Sequence, residues 1–145
     1  MSSTLQRDRA AYFRELHHAG PVLVLPNVWD AAGARICAQA GFRAIATTSS
    51  GVSATLGYGD GEQITRDMLI EAVERITRVV DCPVTADIEA GFGDSIEDVL
   101  QTVQAVIATG AVGINIEDSK REKGAGRHLA SGRADQKAAR AGDFA

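Results

Sequence analysis

The chain of 145 residues contains two cysteines, three prolines and one tryptophan, and aromatic residues make up only 5% of it. Cys37 and Cys82 have no metal-ligand spacing and form no disulfide framework, so a reducing, cytoplasmic setting is expected. Nothing approaches the ~20 consecutive apolar residues of a membrane-crossing helix. Residues 1–9 are polar and charged, so no secretory leader is expected. Positive charge is not in excess either: 15 Lys and Arg against 19 Asp and Glu give a net charge of -4. That argues against nucleic acid or an anionic membrane surface as a partner. Gly57-Tyr58-Gly59 and Gly91-Phe92-Gly93 fall short of a dinucleotide fingerprint. His17, His18 and His128 have no ligand spacing, and no Ser-His-Asp or Cys-His arrangement can be built. His17 and His18 are expected on the exposed side of a helix, and Trp29 as a packed rim residue.

What remains is an ordinary globular composition, 45% hydrophobic and 23% charged, at a length that suits one domain with a real core. Apolar spacing predicts a first helix over residues 5–19, with Leu5, Tyr12, Phe13 and Leu16 on one side and Gly20-Pro21 as its stop. Residues 22–28 form a nearly continuous apolar run, the look of a strand covered on both faces. Asp30 can cap a helix over 31–40 that Gly41 ends, and residues 42–48 make a second strand. Residues 49–64, rich in Ser and Gly, read as a loop too long for a plain connector. Thr65 opens a helix to about residue 80, with Leu69, Val73, Ile76 and Val80 at helical spacing. A third strand covers 83–88. Ser95 and Asp98 have capping-box spacing ahead of a helix whose stripe is Ile96, Val99, Leu100, Val103, Val106 and Ile107. Gly110 closes that helix, and residues 112–116 make a fourth strand.

Such alternation is α/β, with parallel βα repeats. Two architectures suit it. An open doubly wound sheet would be complete at this length and is favoured by the spacing alone. A (β/α)8 barrel takes ~250 residues, so this chain would hold about half of one. In both, chemistry belongs at the carboxyl ends of the strands.

Acids stand at those ends. Asp87 and Glu89 are two apart and would share one face of an ideal strand, and Glu117 ends the next strand. Two carboxylates on one face repel and raise each other's pKa unless a cation neutralises them. A single acid there is ordinarily a turn or cap residue; three at adjacent strand ends are read as a divalent-metal site, which suits Mg2+. Asp60 lies in a glycine-rich loop, and Thr48, Ser49 and Ser50 form a hydroxyl cluster at a strand end.

Five segments in order carry a family likeness: Asn27 with Asp30-Ala31-Ala32-Gly33-Ala34-Arg35, Thr47 to Gly51, Leu56 to Asp60, Asp87 to Gly93, and Gly113 to Asp118. Together they resemble the isocitrate lyase/phosphoenolpyruvate mutase family. The resemblance implies a partial (β/α)8 barrel (TIM type) with an N-terminal helix in residues 1–118, and homo-oligomers. It implies Mg2+, with Mn2+ as a substitute, acting on a small 2-oxo carboxylate through an enolate. Asp87, Glu89 and Glu117 then resemble the metal-holding acids, Asp60 a catalytic residue of the same polar shell, and Thr48, Ser49 and Ser50 the substrate-binding segment. Residues 119–145 resemble a gating loop followed by a divergent or truncated tail, with Lys120 as a further catalytic candidate.

Lyase members carry Lys-Lys-Cys-Gly-His in that loop, whereas residues 120–128 here contain no cysteine. The chain also stops before the strand where the family supplies an arginine. The expected function is therefore an Mg2+-dependent lyase or phosphonomutase-type protein, with C–C cleavage favoured. The alternatives are a non-catalytic half-barrel that self-associates, or a small open-sheet protein that binds an anion.

Overall fold

A computed structural model describes residues 3–118, so Lys120 and the whole of 119–145 lie outside the described residues. The chain opens with α1 (Ser3–His18). It continues through β1 (Asn27–Val28), α2 (Ala31–Gln39), β2 (Ile45–Thr47) and α3 (Ser49–Thr55). The rest is α4 (Arg66–Thr77), β3 (Val84–Asp87), α5 (Ile96–Ala108) and β4 (Gly113–Asn115). The three cap signals hold. The Asp30 carboxylate accepts from Gly33 N–H, Thr65 Oγ1 accepts from Met68 N–H, and Ser95 and Asp98 close a reciprocal capping box.

The strands are all parallel and run in the order β1-β2-β3-β4. Among the described residues each strand pairs with its successor, with no reversal of winding. A doubly wound sheet needs such a reversal, so the open-sheet alternative is set aside and the winding is that of a barrel. Spacing alone favours the open sheet, but the βα unit is common to both architectures, so the strand order decides against it.

Side chains alternate across β3. Val84 joins a core of Val28, Ala34, Ile45 and Ile76, while Ala86 and Ile88 join one built from Leu69, Val73, Val99 and Val103. These positions share the helix-covered face. Thr85 takes the other face, beside Gly113. A Cβ on Gly113 would come within 2.8 Å of Thr85 Oγ1 and 2.9 Å of Phe13 Cε1. Helix α1 thus lies against this inner face. Gln6 Nε2 donates to the carbonyls of Ile107 and Ala111 (2.8 and 3.0 Å), and Arg9 pairs with Asp81 at 3.1 Å. These partners precede β3 and β4, so α1 covers the amino ends of the strands and leaves the carboxyl ends to chemistry.

Several expectations need correction. Within residues 22–28 only Asn27–Val28 pair, and Val22 and Val24 are 88% and 62% exposed. The run belongs to the edge of the sheet and is not covered on both faces. In α1, Leu16 is buried but Leu5 and Tyr12 are largely exposed, and Ile107 of α5 is exposed too. Residues 49–64 are not all loop, since α3 occupies seven of them. Its small residues give no apolar period to read. His17 and His18 are exposed as expected, and Trp29 is half-exposed at the rim. No helix among the described residues is long and apolar enough to cross a membrane.

Candidate functional site

Strand β3 ends at Asp87, and the next residues leave the extended path. Ile88 packs in the core, while Glu89 is left-handed at φ 49°. The expectation that Asp87 and Glu89 share a strand face therefore fails, because the period-two rule holds only while the backbone is extended. The two acids stay neighbours by another route: Glu89 N–H donates to Asp87 Oδ1 at 3.1 Å.

Asp87 is held from all sides. Its N–H donates to Thr47 Oγ1 at 2.9 Å. Its Oδ2 accepts both the main-chain N–H of Ser49 (2.9 Å) and the Ser49 hydroxyl (2.8 Å). Ser49 is the first residue of α3, whose N-cap Thr48 makes no side-chain cap bond. A carboxylate from a neighbouring strand thus satisfies an orphan N–H of that helix. Of the hydroxyl cluster, Ser49 is buried and engaged with Asp87, Thr48 is half-buried and Ser50 is exposed.

Glu89 is the unusual acid. It is 4% exposed, its Oε2 accepts the N–H of Glu62, and its Oε1 is buried without a hydrogen-bond partner. Burial, foremost, pushes its carboxyl up to about 7; the charges of Asp60, Glu62 and Asp87 add to this, and the Glu62 N–H opposes it. Four acids therefore crowd one place.

Glu62 was not singled out in the sequence. Its Oε1 accepts Phe92 N–H at 2.7 Å, tying the loop before α4 to the turn after β3. The available signal was a repeated spacing: Asp60-Gly61-Glu62 and Asp87-Ile88-Glu89 each place two acids two positions apart. Glu62, Glu89 and Phe92 are also the non-glycine residues with left-handed backbone among the described residues, at φ 55°, 49° and 57°. Such conformations persist only where the surroundings over-determine them, and they concentrate at functional sites. Gly91 lies within the same turn at φ 95°, and its carbonyl accepts the hydroxyl of Thr102 at 2.9 Å.

Glu117 follows β4 and is exposed. Its N–H donates to the Glu89 carbonyl at 2.7 Å, extending the register that sets Asp87 opposite Asn115. Glu89 and Glu117 are thus joined main chain to main chain across the adjacent ends of β3 and β4. Among the described residues, however, no group of three or more His, Cys, Asp or Glu side chains is arranged to hold a metal ion. Asp87 turns its oxygens onto Ser49 and the Glu89 N–H, Glu89 is buried, and Glu117 is exposed. The expected cage of Asp87, Glu89 and Glu117 is therefore not assembled, although its members stand at adjacent strand ends. Lys120 lies outside the described residues.

Comparison with known proteins places this geometry. The phosphoenolpyruvate phosphomutase family profile matches residues 13–144. An uncharacterized protein of Mycobacterium tuberculosis is 43% identical over 111 residues, which is 77% of this chain and 42% of the relative. The 2-methylisocitrate lyase of Escherichia coli is 34% identical over 124 residues, 85% of this chain and 42% of the lyase. The crystal structure of a phosphonomutase candidate from Burkholderia cenocepacia superposes with a TM-score of 0.81 at 42% identity, over 96% of this chain and 55% of that one. The chain thus spans less than half the length of these curated relatives, and its sheet is part of a barrel-type fold.

Proposed function

The chain belongs to the phosphoenolpyruvate phosphomutase family, and from this premise we propose that it serves an enzyme that cleaves the bond beside the carbonyl of a small 2-oxo carboxylate. The reaction proposed is C–C cleavage, which similarity to a 2-methylisocitrate lyase supports. P–C chemistry is the variant that similarity to a phosphonomutase candidate supports. The observation that carries the proposal is Glu89 Oε1, a buried carboxylate oxygen without a partner beside three other acids.

The donor chemistry fits a hard divalent cation, Mg2+ or Mn2+. Asp87, Glu89 and Glu117 offer oxygen alone, and a negative oxygen buried without a partner is costly unless it takes up a proton or a cation joins it. Mg2+ keeps several waters, which suits a site that lacks a full protein cage. Asp87, Glu89 and Glu117 would hold it. The chemistry such an ion supplies when bound is polarisation of the 2-oxo oxygen, where negative charge grows.

The remaining roles fall to the chain itself. Ser49 keeps Asp87 oriented through two bonds. Thr48 and Ser50, on either side of it, are assigned to the substrate carboxylate and the enolate oxygen, since donors preorganised toward the charge that develops on that oxygen lower the barrier. Asp60, whose charge is felt at Glu89, is assigned to holding or moving a proton beside the reacting atoms. Lys120 is assigned to the developing negative charge. Self-association belongs to the proposal, supported by the exposed Val22 and Val24 at the β1 edge. A cytoplasmic setting is supported by Cys37 and Cys82 being free thiols.

The test is an assay with a panel of 2-oxo acids, and with 2-methylisocitrate, a 2-hydroxy acid whose cleavage releases a 2-oxo acid, in the presence of Mg2+, alongside thermal unfolding. Turnover that Glu89→Gln abolishes, with an Mg2+-dependent rise in Tm, is the expected result. Absence of turnover together with absence of any Mg2+ effect at millimolar concentration would overturn the proposal.

A further inference from the structure

We infer that Glu62 is a positioning residue: it clasps the loop between α3 and α4 to the turn after β3, and so fixes which oxygen of Glu89 is left for a ligand. The inference rests on the proposed function only in naming that ligand as Mg2+.

The clasp is reciprocal. The Glu62 carboxylate accepts the N–H of Phe92 through Oε1, and the Glu62 main-chain N–H donates to Glu89 Oε2. One residue therefore grips both ends of the turn 89–92. Its backbone is left-handed, as are Glu89 and Phe92 at the two points it touches. A residue with a side chain seldom adopts that conformation without being held there. The bond to Phe92 supplies the hold, and the consequence is the direction of the Glu62 N–H. With Oε2 engaged by that N–H, Oε1 is the oxygen left buried and unpartnered.

The loop is anchored independently on either side of the clasp. Tyr58 N–H donates to the Ser53 carbonyl at 2.9 Å, and Ile64 is buried in the core. Loss of the Glu62 side chain should therefore release the middle of the loop without unfolding it. A residue that merely supported the fold would not be required to decide which Glu89 oxygen is available.

The experiment uses the whole chain with Glu62→Ala and Glu62→Gln, followed by NMR amide exchange and by Mg2+ titration. Glutamine keeps an acceptor for the Phe92 N–H. In Glu62→Ala, exchange at residues 62 and 92 should accelerate at least about tenfold and Mg2+ affinity fall about tenfold, while Glu62→Gln stays within about threefold of the parent on both. Unchanged exchange at both positions in Glu62→Ala overturns the inference. So does faster exchange with unchanged Mg2+ affinity, which would mark a structural role alone. If the parent chain does not bind Mg2+, the metal reading falls by itself. The clasp is then judged on the 13C carboxyl resonance of Glu89: a shift in Glu62→Ala that Glu62→Gln does not show supports it, and no shift overturns it. Should Glu62→Ala fail to fold, Glu62→Gly, which tolerates the left-handed backbone, is held to the same criteria.

Discussion

Asp87 Oδ2 accepts two hydrogen bonds from one residue, the N–H of Ser49 at 2.9 Å and its hydroxyl at 2.8 Å. The carboxylate comes from the end of β3 and Ser49 from the start of α3, so the pair ties the ends of two strands together. Hydrogen bonds to a charged acceptor contribute more than neutral ones. Ser49→Ala keeps the N–H and removes the hydroxyl at a buried position, so a loss of about 1.5–3 kcal/mol is expected from urea unfolding. A loss under about 0.5 kcal/mol would mean that water replaces the hydroxyl without cost.

Glu89 makes stability depend on pH. Its carboxyl titrates at about 7 in the folded chain against an ordinary value of 4.5. A raised folded pKa means that the folded state binds the proton more tightly than the unfolded one. Its contribution is therefore fully present below pH 4.5 and is lost as pH rises through about 7. The loss on full ionisation is on the order of 3 kcal/mol at most. Glu89→Gln, neutral at every pH, should flatten this fall. Urea unfolding at about pH 5 and pH 8 measures it. Equal pH slopes for parent and variant would show that Glu89 is not the group responsible.

Thr102 of α5 supports the turn from beneath. Its buried hydroxyl donates to the Gly91 carbonyl and lies 3.0 Å from the Asp98 carbonyl. Thr102→Val keeps the shape and removes the donor, leaving the Gly91 carbonyl without this partner. A loss of about 1–3 kcal/mol is expected. Because Gly91 follows Glu89 by two residues, amide exchange in 89–92 should rise along with the loss, whereas exchange in α2, at the other end of the sheet, should not. A uniform rise would show general loosening instead.

The helices and strands were legible where the sequence carries period and punctuation. The Thr65 cap and the Ser95–Asp98 box announced α4 and α5, and the apolar stripes behind them told which faces are buried. Helix α3 was not legible, because Ser49, Ser50, Gly51 and Ala54 leave no stripe. Sheet order was not legible either, since the crossover spacing is common to both kinds of winding; the β1-β2-β3-β4 order decides it. At the site, the acids at the ends of β3 and β4 could be seen, and so could Asp60. The way Glu89 reaches Asp87 could not, because it depends on a left-handed turn in which only Gly91 carries a glycine signal. Glu62 was hidden for a related reason: its role comes from contacts across 27 and 30 residues of sequence.

Gly91 lets the turn after β3 close against α5. Its φ is 95°, and a Cβ there would lie 2.8 Å from Val99 Cγ2 and 3.3 Å from Cγ1. Gly91→Ala thus meets two separate penalties, left-handed strain of roughly 1–2 kcal/mol and a steric clash with a buried side chain. The two can be separated with Val99→Ala. Removing the Val99 methyls opens a small cavity and is destabilising alone, but it clears the space that a methyl group on residue 91 would need. The double variant should therefore lose less stability than the sum of the single variants, the shortfall measuring the clash, while the strain remains. Urea unfolding of all four proteins gives the coupling. Strict additivity would show that backbone strain alone requires glycine at this position, and that the turn does not depend on close approach to α5.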